Sequence, residues 1–153
     1  MVNQSEISSY WEKEVCGTRH STAKDYLSYY GEIRQKRYRN ESYIKDLIKG
    51  KKKGSLKNKL LLEIGVGIGT DFVEFLREGA VCYGVDATQA AIKETRRNLK
   101  NSLKDVSYKL NFLQKCNAEK LPFDDNTFDI VYSHGVLHHA ENTMTCFSEA
   151  IRV

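Results

Sequence analysis

Proline occurs once in the 153 residues, at Pro122, and proline and glycine together number eleven, too few for a collagen-like or low-complexity chain. No stretch approaches the roughly 18 apolar residues of a membrane span, and the opening MVNQSEISSYWEKE has neither the charged start nor the apolar run of a secretory signal. The four cysteines, Cys16, Cys82, Cys116 and Cys146, form no C-x-x-C pair and no His/Cys spacing of a zinc finger, so they read as reduced, partly buried thiols, and no metal is expected. What remains is a globular, cytoplasmic protein. With 41% hydrophobic residues the chain can bury one core of ordinary size and not a second.

Charge is present but unevenly divided. Residues 1–59 hold fourteen Lys/Arg against seven Asp/Glu, whereas residues 60–153 hold ten against thirteen. The basic residues alternate with acids and describe a solvated helical surface rather than a nucleic-acid arm, and no base-stacking motif accompanies them. Only Lys51, Lys52 and Lys53 cluster, between Gly50 and Gly54, as in a flexible linker.

The apolar pattern changes at that linker. Before it, Ile33, Tyr43, Ile44, Leu47 and Ile48 predict one amphipathic helix from Glu32 to Ile48, preceded by shorter helices on either side of a Cys16-Gly17-Thr18 break. After it, short apolar runs alternate with helices: strands at Leu60–Ile64, Ala80–Val85, Leu110–Cys116 and Phe128–Ser133, and helices at Asp71–Glu78, Thr88–Leu103 and from Thr143 onward. Such alternation predicts a parallel sheet covered on both faces. The domain division expected is a helical arm or lid over 1–58 and a Rossmann-like unit over 59–153.

The chemistry concentrates in residues 60–71, LLLEIGVGIGTD, where a buried strand ends in Glu63 and opens into Gly65, Gly67 and Gly69. Glycines let a chain turn sharply and let a ligand approach amides at the start of the next helix. The spacing is G-x-G-x-G, not the G-x-G-x-x-G of a pyrophosphate loop, which disfavours a nicotinamide-dependent oxidoreductase. The acid two positions before the first glycine instead favours a ligand with a positive amino-acid end. The second strand is followed by Asp86, placed to accept ribose hydroxyls. His134 and His138, four apart, suit one helix face and stand as candidates for a general base.

Two further segments, CNAEKLPF at 116–123 and NTFDIVYS at 126–133, complete a set of four signatures in order. The chain from Lys59 to Val153 thereby resembles the class I S-adenosylmethionine-dependent methyltransferase superfamily, in particular the branch with an A-E-x-L-P-F and F-D-x-V signature. More weakly, residues 11–18 resemble the lead-in of some members. The resemblance implies a Rossmann-like, doubly wound, mostly parallel sheet comprising the first four to five strands of a seven-stranded fold, with an N-terminal helical arm. It implies S-adenosylmethionine as cofactor, with Glu63, Gly65, Gly67 and Gly69 on the methionine part and Asp86 on the ribose. Asn117 and Ala118 would meet the adenine edge, Ala87 would lie beside it, and Ser133 would lie under the cofactor. Many relatives carry Asp where this chain has Asn117, and Ala87 offers little stacking surface.

The implied activity is methyl transfer to a small-molecule acceptor enclosed by the arm, with Trp11 and the arm's tyrosines lining it as a lid. The sequence ends in the helix that leads, in relatives, to a fifth strand. Two expectations follow: a fourth strand exposed at the sheet edge, coverable by a homodimer, and the alternative of a truncated or split fragment that binds cofactor or keeps the fold without catalysis.

Overall fold

The run LLLEI is apolar enough to be buried on both faces, and it becomes the inner strand on which the rest of the sheet is built. The computed structural model describes residues 4–13, 15–49 and 55–153, so the expected linker at 50–54 lies outside the described residues. Strand β1 (Leu60–Ile64) pairs in parallel with β2 (Val81–Asp86) on one side and β4 (Ile130–Tyr132) on the other, and β3 (Lys109–Lys115) adds to β2, giving the order β3-β2-β1-β4. The parallel neighbours need crossovers, which α4 (Thr70–Arg77) and α5 (Gln89–Ser102) supply. Helix α6 (Thr143–Arg152) follows β4. This is the predicted Rossmann-like α/β sheet, with four strands among the described residues and β4 at its edge.

Alternation along the strands divides the core in two. Leu61, Cys82, Leu113 and Tyr132 face α4 and α5 through Phe72, Leu76, Ile92 and Leu99. Leu62, Ile64 and Val85 face the opposite way, toward α6 and the loop that precedes β4. On that second face Phe123 and Phe128 meet edge to face at 5.0 Å, and Tyr83 and Phe112 join them at 5.0 to 5.9 Å. The two phenylalanines of the L-P-F and F-D segments are therefore partners in packing. Arg152 laces α6 to the same loop through the carbonyls of Leu121 and Phe123 and the Asp125 carboxylate.

The N-terminal helices are α1 (Gln4–Lys13), α2 (Tyr26–Asn40) and α3 (Ser42–Lys49). The single helix expected from Glu32 to Ile48 is divided, because Glu41 leaves helical geometry with φ −129° and ψ 59°. The break re-aims the second half so that Ile44 and Ile48 reach the core. The fourth strand is also shorter than its apolar run. Phe128 gives its amide to Val153 at 2.9 Å and its ring to the aromatic cluster, so β-pairing starts only at Ile130. No helix among the described residues is long and apolar enough to cross a membrane.

Close packing at one strand position is unforgiving. A Cβ on Gly84 of β2 would stand 2.8 Å from Val66 Cγ1, 2.9 Å from Leu113 Cδ1 and 3.0 Å from Phe72 Cε2. Gly84→Val is expected to destabilise the protein by about 1–3 kcal/mol through overpacking. A urea denaturation midpoint lowered in proportion checks this, and an unchanged midpoint would show that the contact can relax.

Candidate functional site

The carboxyl ends of the parallel strands bring the chemistry together. Glu63 and Asp86 end adjacent strands, with Glu63 paired to Gly84 and Ile64 to Val85, so their two loops leave the sheet side by side. Gly65 takes φ +83° and a Cβ there would lie 2.3 Å from Val136 Cγ2, so both its backbone angle and its neighbour require glycine. Four of the turn's amides are committed within the protein. Gly65 and Val66 donate to the Val85 carbonyl at 2.8 and 3.2 Å, Gly69 donates to Val66 O at 2.7 Å, and Gly67 donates to Asp86 Oδ2 at 3.0 Å.

Asp86 is thereby held from two sides. Its Oδ1 accepts from the Thr88 amide at 3.0 Å and the Thr88 hydroxyl at 2.9 Å, while Thr88 itself caps α5. Burial pushes the Asp86 carboxyl up, against the lowering effect of the bonds from Gly67 and Thr88. Of about four lone-pair positions on a carboxylate, three are taken.

A cleft of about 330 Å³ opens at this edge. Glu63, Gly65, Gly67, Asp86, Ala87, Asn117 and Ala118 line it, as does His134. Three other candidates do not. Gly69 caps α4, the Ser133 hydroxyl donates to the Ile64 carbonyl at 3.0 Å, and His138 is exposed against His139. Asn117 is present in the cleft with its Oδ1 accepting from the Glu119 amide at 2.9 Å.

Glu63 is 4% exposed, and its Oε2 has no hydrogen-bond partner. Burial first, and then repulsion from Asp71, hold its carboxyl well above the usual range, with Arg37 acting in the opposite direction. Asp71, 5% exposed, is as deeply buried but is fully partnered. It accepts from Arg37 Nη2 at 2.6 Å, Tyr38 at 2.9 Å and Tyr132 at 2.9 Å. Arg37 also pairs with Glu41 and donates from Nη2 to His134 Nδ1 at 3.2 Å.

Because a guanidinium only donates, His134 Nδ1 is an acceptor, and Nε2 carries the hydrogen given to the Tyr43 hydroxyl at 2.9 Å. Both ring nitrogens are engaged, so His134 fastens the loop after β4 to α2 and α3. Nor do His134 and His138 share a helix face, since only Leu137–His139 forms a short 3-10 turn there. His139 does line the cleft, edge to face with Trp11 at 5.4 Å.

Arg37 and Asp71 escaped the sequence reading. The available signal was a stripe on α2: Ile33, Arg37 and Glu41 recur at helical spacing, with Lys36 and Asn40 between them, and all five line the cleft. Trp11 lines it as expected, whereas the tyrosines of the arm do not. Tyr30 bonds Glu94, Tyr29 bonds the Thr18 carbonyl and Tyr43 bonds His134.

Comparison with known proteins agrees with this fold. An uncharacterized methyltransferase of Schizosaccharomyces pombe is 33% identical over 105 residues, covering 63% of this chain and 36% of its own length. Cycloartenol-C-24-methyltransferase of Arabidopsis thaliana is 34% identical over 94 residues, covering 61% of this chain and 27% of its own. The chain thus spans about a third of the length of these curated relatives. Magnesium protoporphyrin IX methyltransferase from Synechocystis PCC 6803, solved with bound SAH, shares the fold with a TM-score of 0.69 at 16% identity, over 97% of this chain and 66% of that one. The model of the methyltransferase domain family matches residues 62–153, more than half of the chain, and the protein belongs to that family within the class I S-adenosylmethionine-dependent superfamily.

Proposed function

We propose that this chain binds S-adenosylmethionine and directs its methyl group to a small-molecule acceptor. The observation that carries the reading is the orphaned Glu63 Oε2, buried at the floor of the cleft with no partner of its own. An unsatisfied buried acceptor costs roughly 1–3 kcal/mol, more when charged, and a ligand ammonium removes that cost. Phosphates do not suit the site, because the carboxyls of Glu63 and Asp86 face it and the amides of Gly65, Val66, Gly67 and Gly69 are already bonded.

In this reading Glu63 takes the methionine ammonium and the glycine turn passes beneath the methionine part. Asp86 accepts from the ribose on its remaining lone pair, with further contact as the Gly67 and Thr88 bonds adjust. Ala87, Asn117 and Ala118 border the adenine, and the free Nδ2 of Asn117 remains available to a ring nitrogen. The cofactor supplies an electrophilic methyl group on a sulfonium, so the protein's part is to align the acceptor and exclude water. Helices α1 and α2 are placed for the second task, since Trp11 and the Ile33–Arg37 stripe wall the side of the cleft away from the sheet. The resemblance of the fold to an SAH-bound methyltransferase supports the same ligand.

Calorimetric titration of the chain with S-adenosylmethionine is expected to show micromolar binding, and Asp86→Ala to weaken it at least about tenfold, equivalent to about 1.4 kcal/mol. Absence of heat at millimolar ligand overturns the reading, and an unchanged affinity in the variant would put the ribose elsewhere.

Glu63 gives an opposed pair of effects. Its raised carboxyl holds a proton in the folded chain at pH values where the unfolded chain is ionised, so stability declines as pH rises from the ordinary carboxyl range toward the folded value. Glu63→Gln removes that decline. The ligand-free variant is expected to be more stable at neutral pH, by on the order of 1 kcal/mol, while its affinity for S-adenosylmethionine falls about tenfold. Thermal unfolding with and without ligand checks both signs, and a variant that gains or loses in both would contradict the assignment.

A further inference from the structure

The wall of the cleft opposite the sheet carries its own charge pattern. Along α2 the residues that line the cleft are Ile33, Lys36, Arg37, Asn40 and Glu41, which is one face of a helix. Ile33 is buried, and Arg37 and Glu41 are paired with each other, with Arg37 also neutralising Asp71. Lys36 and Asn40 are different. They sit one turn apart on the exposed rim, and neither side chain has a polar partner among the described residues. Beyond the cofactor-side acids, Lys36 is therefore the one uncompensated charge that the described residues place on the cleft.

Resting on the proposed methyltransferase reading, we propose that Lys36, with the Asn40 amide one helical turn along, anchors a carboxylate of the methyl acceptor. A single ammonium beside an amide donor matches a monoanion, and the ammonium is worth most where flanking protein displaces water. The acceptor's body then lies against the apolar side of the cleft, where Trp11 stands edge to face with His139 and Val136 and Leu137 continue the surface. Lys36 is exposed whereas Glu63 is 4% exposed, and the variants below distinguish an acceptor anchor from a contact with the cofactor's own carboxylate.

The test uses the whole chain saturated with S-adenosylmethionine, read by the fluorescence of Trp11, its only tryptophan. Three probes share one body: 3-phenylpropanoate, the neutral 3-phenylpropanamide and 3-phenylpropylamine. The acid is expected to bind about fivefold tighter than the amide, a partly screened ion pair, and the amine weakest. In Lys36→Met the preference for the acid disappears, and in Lys36→Glu the amine becomes the best ligand. Lys36 is exposed, so neither variant should disturb folding, and calorimetry must find the affinity for S-adenosylmethionine unchanged in both.

Equal binding of the three probes, no binding of the acid, or an acid preference that survives Lys36→Met overturns the proposal. So does a loss of S-adenosylmethionine affinity in Lys36→Met, which would give Lys36 to the cofactor's own carboxylate. Failure of the wild-type chain to bind S-adenosylmethionine at all removes the functional reading and this anchor together, whereas cofactor binding without acid preference removes the anchor alone.

Discussion

Two acids, Glu63 and Asp71, are buried close enough to repel each other, and the one guanidinium nearby pairs with only one of them. Arg37 spends its strongest contacts on Asp71, which two phenols also satisfy, so Asp71 is fully paired while Glu63 is not. Much of the architecture follows from that allocation. A buried charge is tolerated only with good geometry and complete hydrogen bonding, so α2 must dock where its guanidinium meets Asp71. Once there, the same guanidinium reaches His134 and, through its ring, Tyr43 of α3, which fixes the loop after β4. This cation thus joins the arm to the cleft wall, beside the Tyr30–Glu94 and Arg34–Glu74 contacts, and the carboxyl of Glu63 is left without a hydrogen-bond partner at Oε2.

The glycine turn has a related logic. In a pyrophosphate loop the amides at a helix start remain free for the ligand's oxygens. Here the amides of Gly65, Val66, Gly67 and Gly69 are all spent on protein acceptors, and one of them orients Asp86. The turn acts as scaffolding for two acids, and its absent side chains matter because Val136 and Thr95 pack where a Cβ of Gly65 or Gly69 would stand. An edge that presents carboxyls in place of free amides selects for ligand hydroxyls and ammonium groups over phosphates.

The parts of this arrangement visible in the sequence are those encoded locally. The strands announced themselves as apolar runs, and Glu63 and Asp86 occupy fixed offsets from strand ends, so the parallel sheet with its fourth strand at an edge and the two acids lining the cleft were legible. The division at Glu41 was not, because periodicity continues across it and only the tertiary demand to bury Ile44 and Ile48 breaks the helix. Arg37 with Asp71 and Arg37 with His134 join positions 34 and 97 residues apart, beyond any local pattern. His134 and His138 looked alike by spacing, yet a turn separates them and puts only the first on the cleft. The Ser133 side chain turns back to the Ile64 carbonyl, a backbone acceptor that no motif reveals.

Charge compensation then says how a reaction can be oriented in such a cleft. The ion pairs on its wall are internal, Arg37 with Asp71 and Glu41, and both nitrogens of the His134 ring are hydrogen-bonded. The exceptions have opposite signs and lie apart, with acid at the floor beneath the glycine turn and the Lys36 ammonium at the rim. A ligand pair with a cationic end and an anionic end can satisfy both exceptions in one direction only. Methyl transfer from a sulfonium demands alignment more than it demands an acid or a base. A cleft that fixes direction with one unpartnered carboxyl and one unpaired ammonium, while holding its histidine in structural bonds, supplies that alignment with few obligatory side chains.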